Sequence, residues 1–180
     1  MAQILKESIR ASILASASAE FARDGYQSAS MRSIARGAGI SPGLIYTYYE
    51  SKEALLDAVL APVLFDWEAV LAEGDSAHPQ ANSLSQAELD CLCRLIEHPL
   101  ASVTLMEGCA GTKYAHAKES LTAAIEAHLL RHSRRDALFV HIVASGFVDG
   151  VIQIIRHNQG REWAVDMLRQ LSDMYFQGIG

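Results

Sequence analysis

Between Ile40 and Leu56 the sequence reads ISPGLIYTYYESKEALL, which sets three phenols, Tyr46, Tyr48 and Tyr49, beside the ammonium group of Lys52. A phenol can donate to a phosphate oxygen or pack on a sugar. Lys52 follows Ser51, a residue type that caps helix starts, so it falls in a first helical turn, where a cation opposes the macrodipole. A phosphate bound there would reverse the sign, because the lysine and the free N–H groups would act on the same anion. Tyr49 shares a face with Ile45 by four-residue spacing and reads as a core aromatic. One short helix cannot bury all three rings, so Tyr46 and Tyr48 are the candidate contacts, with Lys52 beside them.

Other groupings carry less. His128 and His132 are four apart, the spacing that puts two metal ligands on one helix face. However, Ser133 and Asp136 read as the start of a new helix, which leaves His132 at the preceding terminus, and Arg131, Arg134 and Arg135 would repel a cation. Cys91 and Cys93 are two apart, point in nearly opposite directions on a helix and are expected to be buried thiols; redox sensing by one of them is left open. Neither a nucleophile elbow, a His-Glu-x-x-His pair, a phosphate loop nor a dinucleotide fingerprint occurs in the sequence. The expectation is a protein that is not an enzyme, with no metal site and no cofactor.

The elements that must position these groups are helices throughout. Ile9, Ile13, Ala17 and Phe21 recur every four residues and give a first helix an apolar stripe, which Gly25 closes. A second helix starts from a cap near Ser30 and buries Ile34, Ala35 and Ala38. Gly39 makes the next turn, Ser41 caps a third helix with Pro42 at its first position, and that helix runs to about Tyr49. Ser51 caps the fourth, which buries Leu55, Leu56, Val59 and Leu60. Downstream, Ala72 to Ser83 reads as a loop. Further helices are expected over Ser85–Glu97, Pro99–Met106, Thr112–His132, Ser133–His157 and Gly160–Phe176.

Composition agrees. A chain of 180 residues, half of them apolar, buries roughly 70% of its unfolded surface. The net charge of −6 is uneven: residues 1–52 carry six Lys and Arg against four Asp and Glu, and residues 53–180 carry nine against seventeen. A net positive amino-terminal third on an acidic chain points to a local anionic partner. No secretory signal is visible, Ala137–Ile155 reads as a buried helix rather than a membrane span because His141, Asp149 and Gln153 interrupt it, and three cysteines suit a reducing compartment. A cytoplasmic protein without a membrane partner is expected.

Two short helices joined by Ala38-Gly39-Ile40-Ser41 have the form of a helix-turn-helix over Ser30–Tyr49. The stretch Ser30–Leu60, preceded by Ala19–Tyr26, resembles the DNA-binding domain of the TetR family of bacterial repressors. The matching points are Phe21, Gly25 and Tyr26, the Ile34-Ala35 pair, the Ala-Gly-Ile-Ser turn, Tyr46 with Tyr49, and Ser51-Lys52-Glu53 with Leu55. The resemblance implies an all-α chain with a helix-turn-helix domain at residues 1–60 and a helical effector-binding and dimerisation domain at 61–180. It implies a transcriptional regulator, a ligand-responsive repressor, that binds a palindromic double-stranded operator as a homodimer. Met31, Arg32, Ser41, Pro42, Gly43, Leu44, Thr47 and Tyr48 would face DNA, with Tyr46 and Lys52 on phosphates. Gly43 and Leu44 depart from a hydrogen-bonding reader, which leaves base contacts to Thr47, Tyr48 and an apolar touch on a thymine methyl. The alternative is a helical ligand-binding or catalytic protein whose first sixty residues are only structural.

Two expectations concern the carboxy-terminal region. Trp67, Met106, Tyr114 and Phe147 could line one apolar pocket for an unidentified small-molecule effector. Ala137–Ile155 is apolar almost all round, so one face is free for a partner: Ala144, Gly146 and Gly150 would permit close approach, and Trp163, Met167, Leu171 and Met174 on the last helix would complete the dimer interface.

Overall fold

In the computed structural model the described residues, 2–77, 84–132 and 134–176, are helical with no strand among them. In chain order the helices are α1 (Ala2–Ser28), α2 (Met31–Gly37), α3 (Pro42–Ile45), α4 (Lys52–Leu60), α5 (Trp67–Ala77), α6 (Gln86–Glu97), α7 (Pro99–Val103), α8 (Ala117–His132), α9 (Ala137–Arg156) and α10 (Arg161–Phe176). A π-helical turn, Thr104–Gly108, continues α7. Helix α5 runs through Ala72–Ala77, where a loop was expected, and the rest of that expected loop lies outside the described residues. Helix α8 starts at Ala117 instead of Thr112, whose hydroxyl turns back to donate to the Cys109 carbonyl at 2.7 Å. Asp136 caps α9 by accepting from the Leu138 N–H at 2.9 Å; Ser133, the expected cap, lies outside the described residues.

The chain divides into two compact units, one comprising Met1–Pro62 with Leu100–Ala115, the other Val63–Pro99 with His116–Gly180. A single cut at residue 60 therefore does not describe it, because the π turn and the loop after it pack with α1. Backbones meet there: Gly25 has φ 75° and ψ 162°, a conformation open to glycine, and a Cβ on Gly108 would stand 3.2 Å from the Phe21 carbonyl oxygen. From α4, Asp57 accepts from the Tyr114 hydroxyl at 2.9 Å and from Lys113 Nζ at 2.8 Å. Those two donors hold its carboxyl below the usual range, Lys113 contributing more than Tyr114.

The first unit's core follows the expected stripe. Ile13, Ala17 and Phe21 are fully buried with Ile34, Ile45, Leu55, Leu56 and Leu60, whereas Ile9 is half-buried. Glu20 is buried as well: its Oε1 accepts from the Ser30 N–H at 2.9 Å and from the Ser33 hydroxyl, tying α1 to the start of α2. In the second unit α9 packs on α8 and α10. By length and composition α9 could cross a membrane, yet half of its apolar window is buried against the protein.

Lys52 is the residue whose setting differs most from expectation. Its Nζ donates to the carbonyl oxygens of Tyr26 at 2.6 Å, Ala29 at 2.8 Å and Gln27 at 3.5 Å, and sits 4.3 Å from the centroid of the Tyr26 ring. The cation that opposes the dipole of its own helix lies at the negative end of α1, where such a charge is favourable. Replacing it with Met, similar in stem and lacking the charge, should lower the unfolding free energy by about 1–2 kcal/mol, the scale of hydrogen bonds to a charged group in a half-exposed site. Chemical denaturation followed by circular dichroism measures this; an unchanged midpoint would show that the three carbonyl contacts contribute nothing.

Candidate nucleic-acid interface

Three serine caps set the spacing of the motif. Ser30, Ser41 and Ser51 are all extended at their own φ/ψ and accept from the N–H three residues on, Ser33, Leu44 and Ala54 respectively. Between the first two helices the chain reverses at Gly39, φ 71°, with the Gly39 N–H on the Arg36 carbonyl at 3.1 Å and the Ile40 N–H on the Ala35 carbonyl at 3.0 Å. That pair of bonds is a Schellman closure, which requires the left-handed residue that glycine supplies. Ser16 on α1 donates to the Ile34 carbonyl at 2.9 Å, and its hydroxyl fills the space a Cβ on Gly37 would need.

Helix α3 is a single turn. Beyond Ile45 the chain continues as tighter turns, with Thr47 N–H on the Leu44 carbonyl and Tyr48 N–H on the Ile45 carbonyl, both at 3.0 Å, so the expected helix to Tyr49 is shorter than its sequence pattern. This brings one exposed surface together: Ser41, Pro42, Gly43, Tyr46 and Thr47 are exposed, and Leu44 and Tyr48 half-buried. Tyr46 is 55% exposed while Tyr49 is buried. The Thr47 hydroxyl donates to the Leu44 carbonyl at 2.7 Å, which leaves its lone pairs and methyl for a partner. A Cβ on Gly43 would meet nothing within 4 Å and its φ is ordinary, so the fold does not require glycine there. The missing side chain leaves the surface open at that point.

The structure corrects two of the DNA-facing expectations. Met31 is 8% exposed and belongs to the core of the first unit, because the first residue of α2 lies over Glu20's helix; Arg32, next to it, is exposed. The Lys52 ammonium has three N–H donors, and three carbonyls of α1's end take them up, so the hydrogen bonds once assigned to a phosphate are committed within the fold. Sequence reasoning also passed over Arg10, whose Nε donates to the Tyr49 hydroxyl at 3.3 Å with its guanidinium carbon 5.7 Å from the ring centroid. The only signal was its place three residues before Ile13, on the edge of the α1 stripe.

In the second unit the expected sites are rearranged. Of the four pocket residues, Met106 and Tyr114 belong to the first unit and Trp67 and Phe147 to the second. Met106 is core, Tyr114 is bound to Asp57, Trp67 packs edge-on to Phe65 at 5.2 Å, and Phe147 meets Tyr175 at 6.4 Å. They do not form one pocket within either unit. A cleft of about 660 Å³ opens instead between α5 and α8, walled by Leu71, Ala123, Ala124 and Ala127 with Glu68 and Arg131 among its polar groups. The small residues of α9 serve their own chain: Ala144 is fully buried, a Cβ on Gly146 would meet Tyr175, and one on Gly150 would meet Leu171. Trp163 and Met167 are half-buried, and the exposed large apolar groups on α9 and α10 are Leu138, Phe139, Ile142 and Met174.

The thiols are quiet. Burial pushes Cys109 up to about 11 and raises Cys91 and Cys93, so little thiolate exists near neutral pH. His128 Nδ1 lies 3.5 Å from an Arg131 nitrogen, a poor setting for a cation.

Comparison with known proteins places this geometry. Residues 13–59 match the family model described as bacterial regulatory proteins, tetR family. The HTH-type transcriptional regulator UidR of Escherichia coli K12 is 43% identical over 63 residues, 35% of this chain and 31% of UidR, so the match spans about a third of that relative's length. The fold as a whole resembles NalD, a secondary repressor of the MexAB-OprM multidrug efflux pump in Pseudomonas aeruginosa, at 18% identity and TM-score 0.56 over 97% of this chain and 96% of that one. It also resembles a gamma-butyrolactone receptor (ArpA-like protein), at 21% identity and TM-score 0.57 over 93% and 98% of the two chains. Residues 13–59 therefore match the helix-turn-helix DNA-binding domain of the tetR family of bacterial regulatory proteins, set in an all-helical chain that shares the fold of these neighbours.

Proposed function

We propose that the chain is a cytoplasmic, ligand-responsive transcriptional repressor that binds a palindromic DNA operator as a homodimer. The observation that carries this reading is the exposed Ser41–Tyr48 turn, open around Gly43, on a motif whose caps and core are satisfied from within. Such a surface has no task in the fold, and in helix-turn-helix proteins the second helix of the motif is the one that enters the major groove. Arg32 and Tyr46 supply phosphate contacts, while Thr47 and Tyr48 face base edges and Leu44 a thymine methyl. Two recognition turns in a two-fold dimer would lie about 34 Å apart or a multiple of it along the duplex.

The second unit takes the other two roles. Its α5–α8 cleft, walled by Leu71 and alanines with opposite charges from Glu68 and Arg131 among its lining, suits a small molecule of mixed polarity. Likeness in fold to a gamma-butyrolactone receptor supports effector reception in kind only, and that protein's ligand is not carried over to this chain. The apolar groups left on the surface by α9 and α10, Leu138, Phe139, Ile142 and Met174, with Trp163 and Met167 half-covered, suit a second copy of the chain. Because Gly146 is already covered by Tyr175, a bulky change there would disturb the protomer itself; the informative position is Ile142.

Three outcomes follow. Titration of the protein with duplex DNA at rising salt should give affinity that falls linearly in the logarithm of salt; a helical ligand-binding protein without DNA function would give no such line. Thr47→Ala or Tyr48→Ala should change the order of preference among operators, and Gly43→Ala should leave thermal stability equal or raise it by about 0.5–1 kcal/mol while weakening operator binding at least tenfold; equal binding would remove Gly43 from the interface. Ile142→Asp should give folded monomers by sedimentation, and a retained dimer would move the interface elsewhere.

A further inference from the structure

We infer that the amino-terminal turns of α1 form a second DNA-backbone contact, in which Arg10, aimed by the Tyr49 hydroxyl, grips a phosphate beside the recognition turn with Lys6 one turn behind it. The inference rests on the DNA-binding reading and extends it to residues outside the family match, which begins at residue 13. Arg10 is exposed, and its Nε bond to Tyr49 uses one of five guanidinium N–H donors. Among the described residues neither Arg10 nor Lys6 forms an ion pair, although Glu7 lies three residues from Arg10, whereas Arg23, Lys113, Lys118 and Arg161 all do. The phenol that holds Arg10 belongs to a buried ring directly after Tyr48, so the guanidinium is fixed at the edge of the exposed turn. Its guanidinium carbon lies 5.7 Å from that ring's centroid, and its two terminal nitrogens keep the fork that fits a phosphate.

The two charges also repel each other. Lys6 and Arg10 lie four apart on α1 and share a face, where like charges are unfavourable, and a polyanion along that side would offset the repulsion.

The test is fluorescence anisotropy of the full chain on a mixed-sequence DNA duplex across a salt series. Arg10→Ala should lower the slope of log affinity against log salt by about 0.9 for each phosphate lost per protomer, equally on all sequences, with an unchanged thermal midpoint; Lys6→Ala should lower it less. Tyr49→Phe, which keeps the ring and frees the guanidinium, should weaken binding less than Arg10→Ala, and the double variant should bind no worse than Arg10→Ala alone. If Arg32→Ala lowers the slope and Arg10→Ala does not, the DNA-binding reading stands and this contact is wrong. If the wild type shows no salt-dependent binding, both fall.

Discussion

The amino-terminal unit depends on a single cation serving a helix other than its own. Lys52 begins α4 and donates to three carbonyls at the end of α1, beneath the face of Tyr26. Those carbonyls lie in the last turn of α1 and just past it, where no intrahelical donor follows. The contact fixes where α4 starts relative to α1, and the segment from Ser30 to Ser51 is strung between those two ends. Glu20 does the converse with opposite charge, using a buried carboxylate to hold the N–H and hydroxyl groups at the start of α2. One cation at a helix end and one anion at a helix start therefore frame the helix-turn-helix, each at the pole that favours it.

With the frame secured internally, the surface between its ends is free of structural duty. Tyr46 is exposed, Gly43 is open, and Thr47 keeps only a local bond. The unit is completed by the distant segment Leu100–Ala115, which meets α1 through Gly25 and Gly108 and meets α4 through Asp57. From Ala115 the chain passes directly into α8, one wall of the α5–α8 cleft.

Much of this was legible in the sequence because it is local. Caps at Ser30, Ser41 and Ser51, the reversal at Gly39 and the stripe through Ile13, Ala17 and Phe21 are all written within a turn or two of where they act. What was not legible involves partners far along the chain. The carbonyls that receive Lys52 lie 23–26 residues earlier, at an α1 end that sequence alone places only roughly. Met31 looked like an exposed first-turn residue until α1 covered it. Gly146 and Gly150 are small for close approach as expected, but the helix that approaches is α10 of the same chain, and periodicity does not say whose helix fills a groove. Apolar character likewise marks Met106 and Phe147 equally for a cavity and for packing.

The central claim is that DNA meets the Ser41–Tyr48 turn and Arg32 while Lys52 remains with α1. Hydrogen–deuterium exchange of the full chain with and without a bound duplex tests it directly. The account predicts added protection over residues 31–48, and unchanged exchange at the Tyr26–Ala29 junction and in the α5–α8 cleft. Protection confined to the second unit, or a Tyr26–Ala29 junction that loosens as Lys52 leaves it for the DNA, would contradict the account.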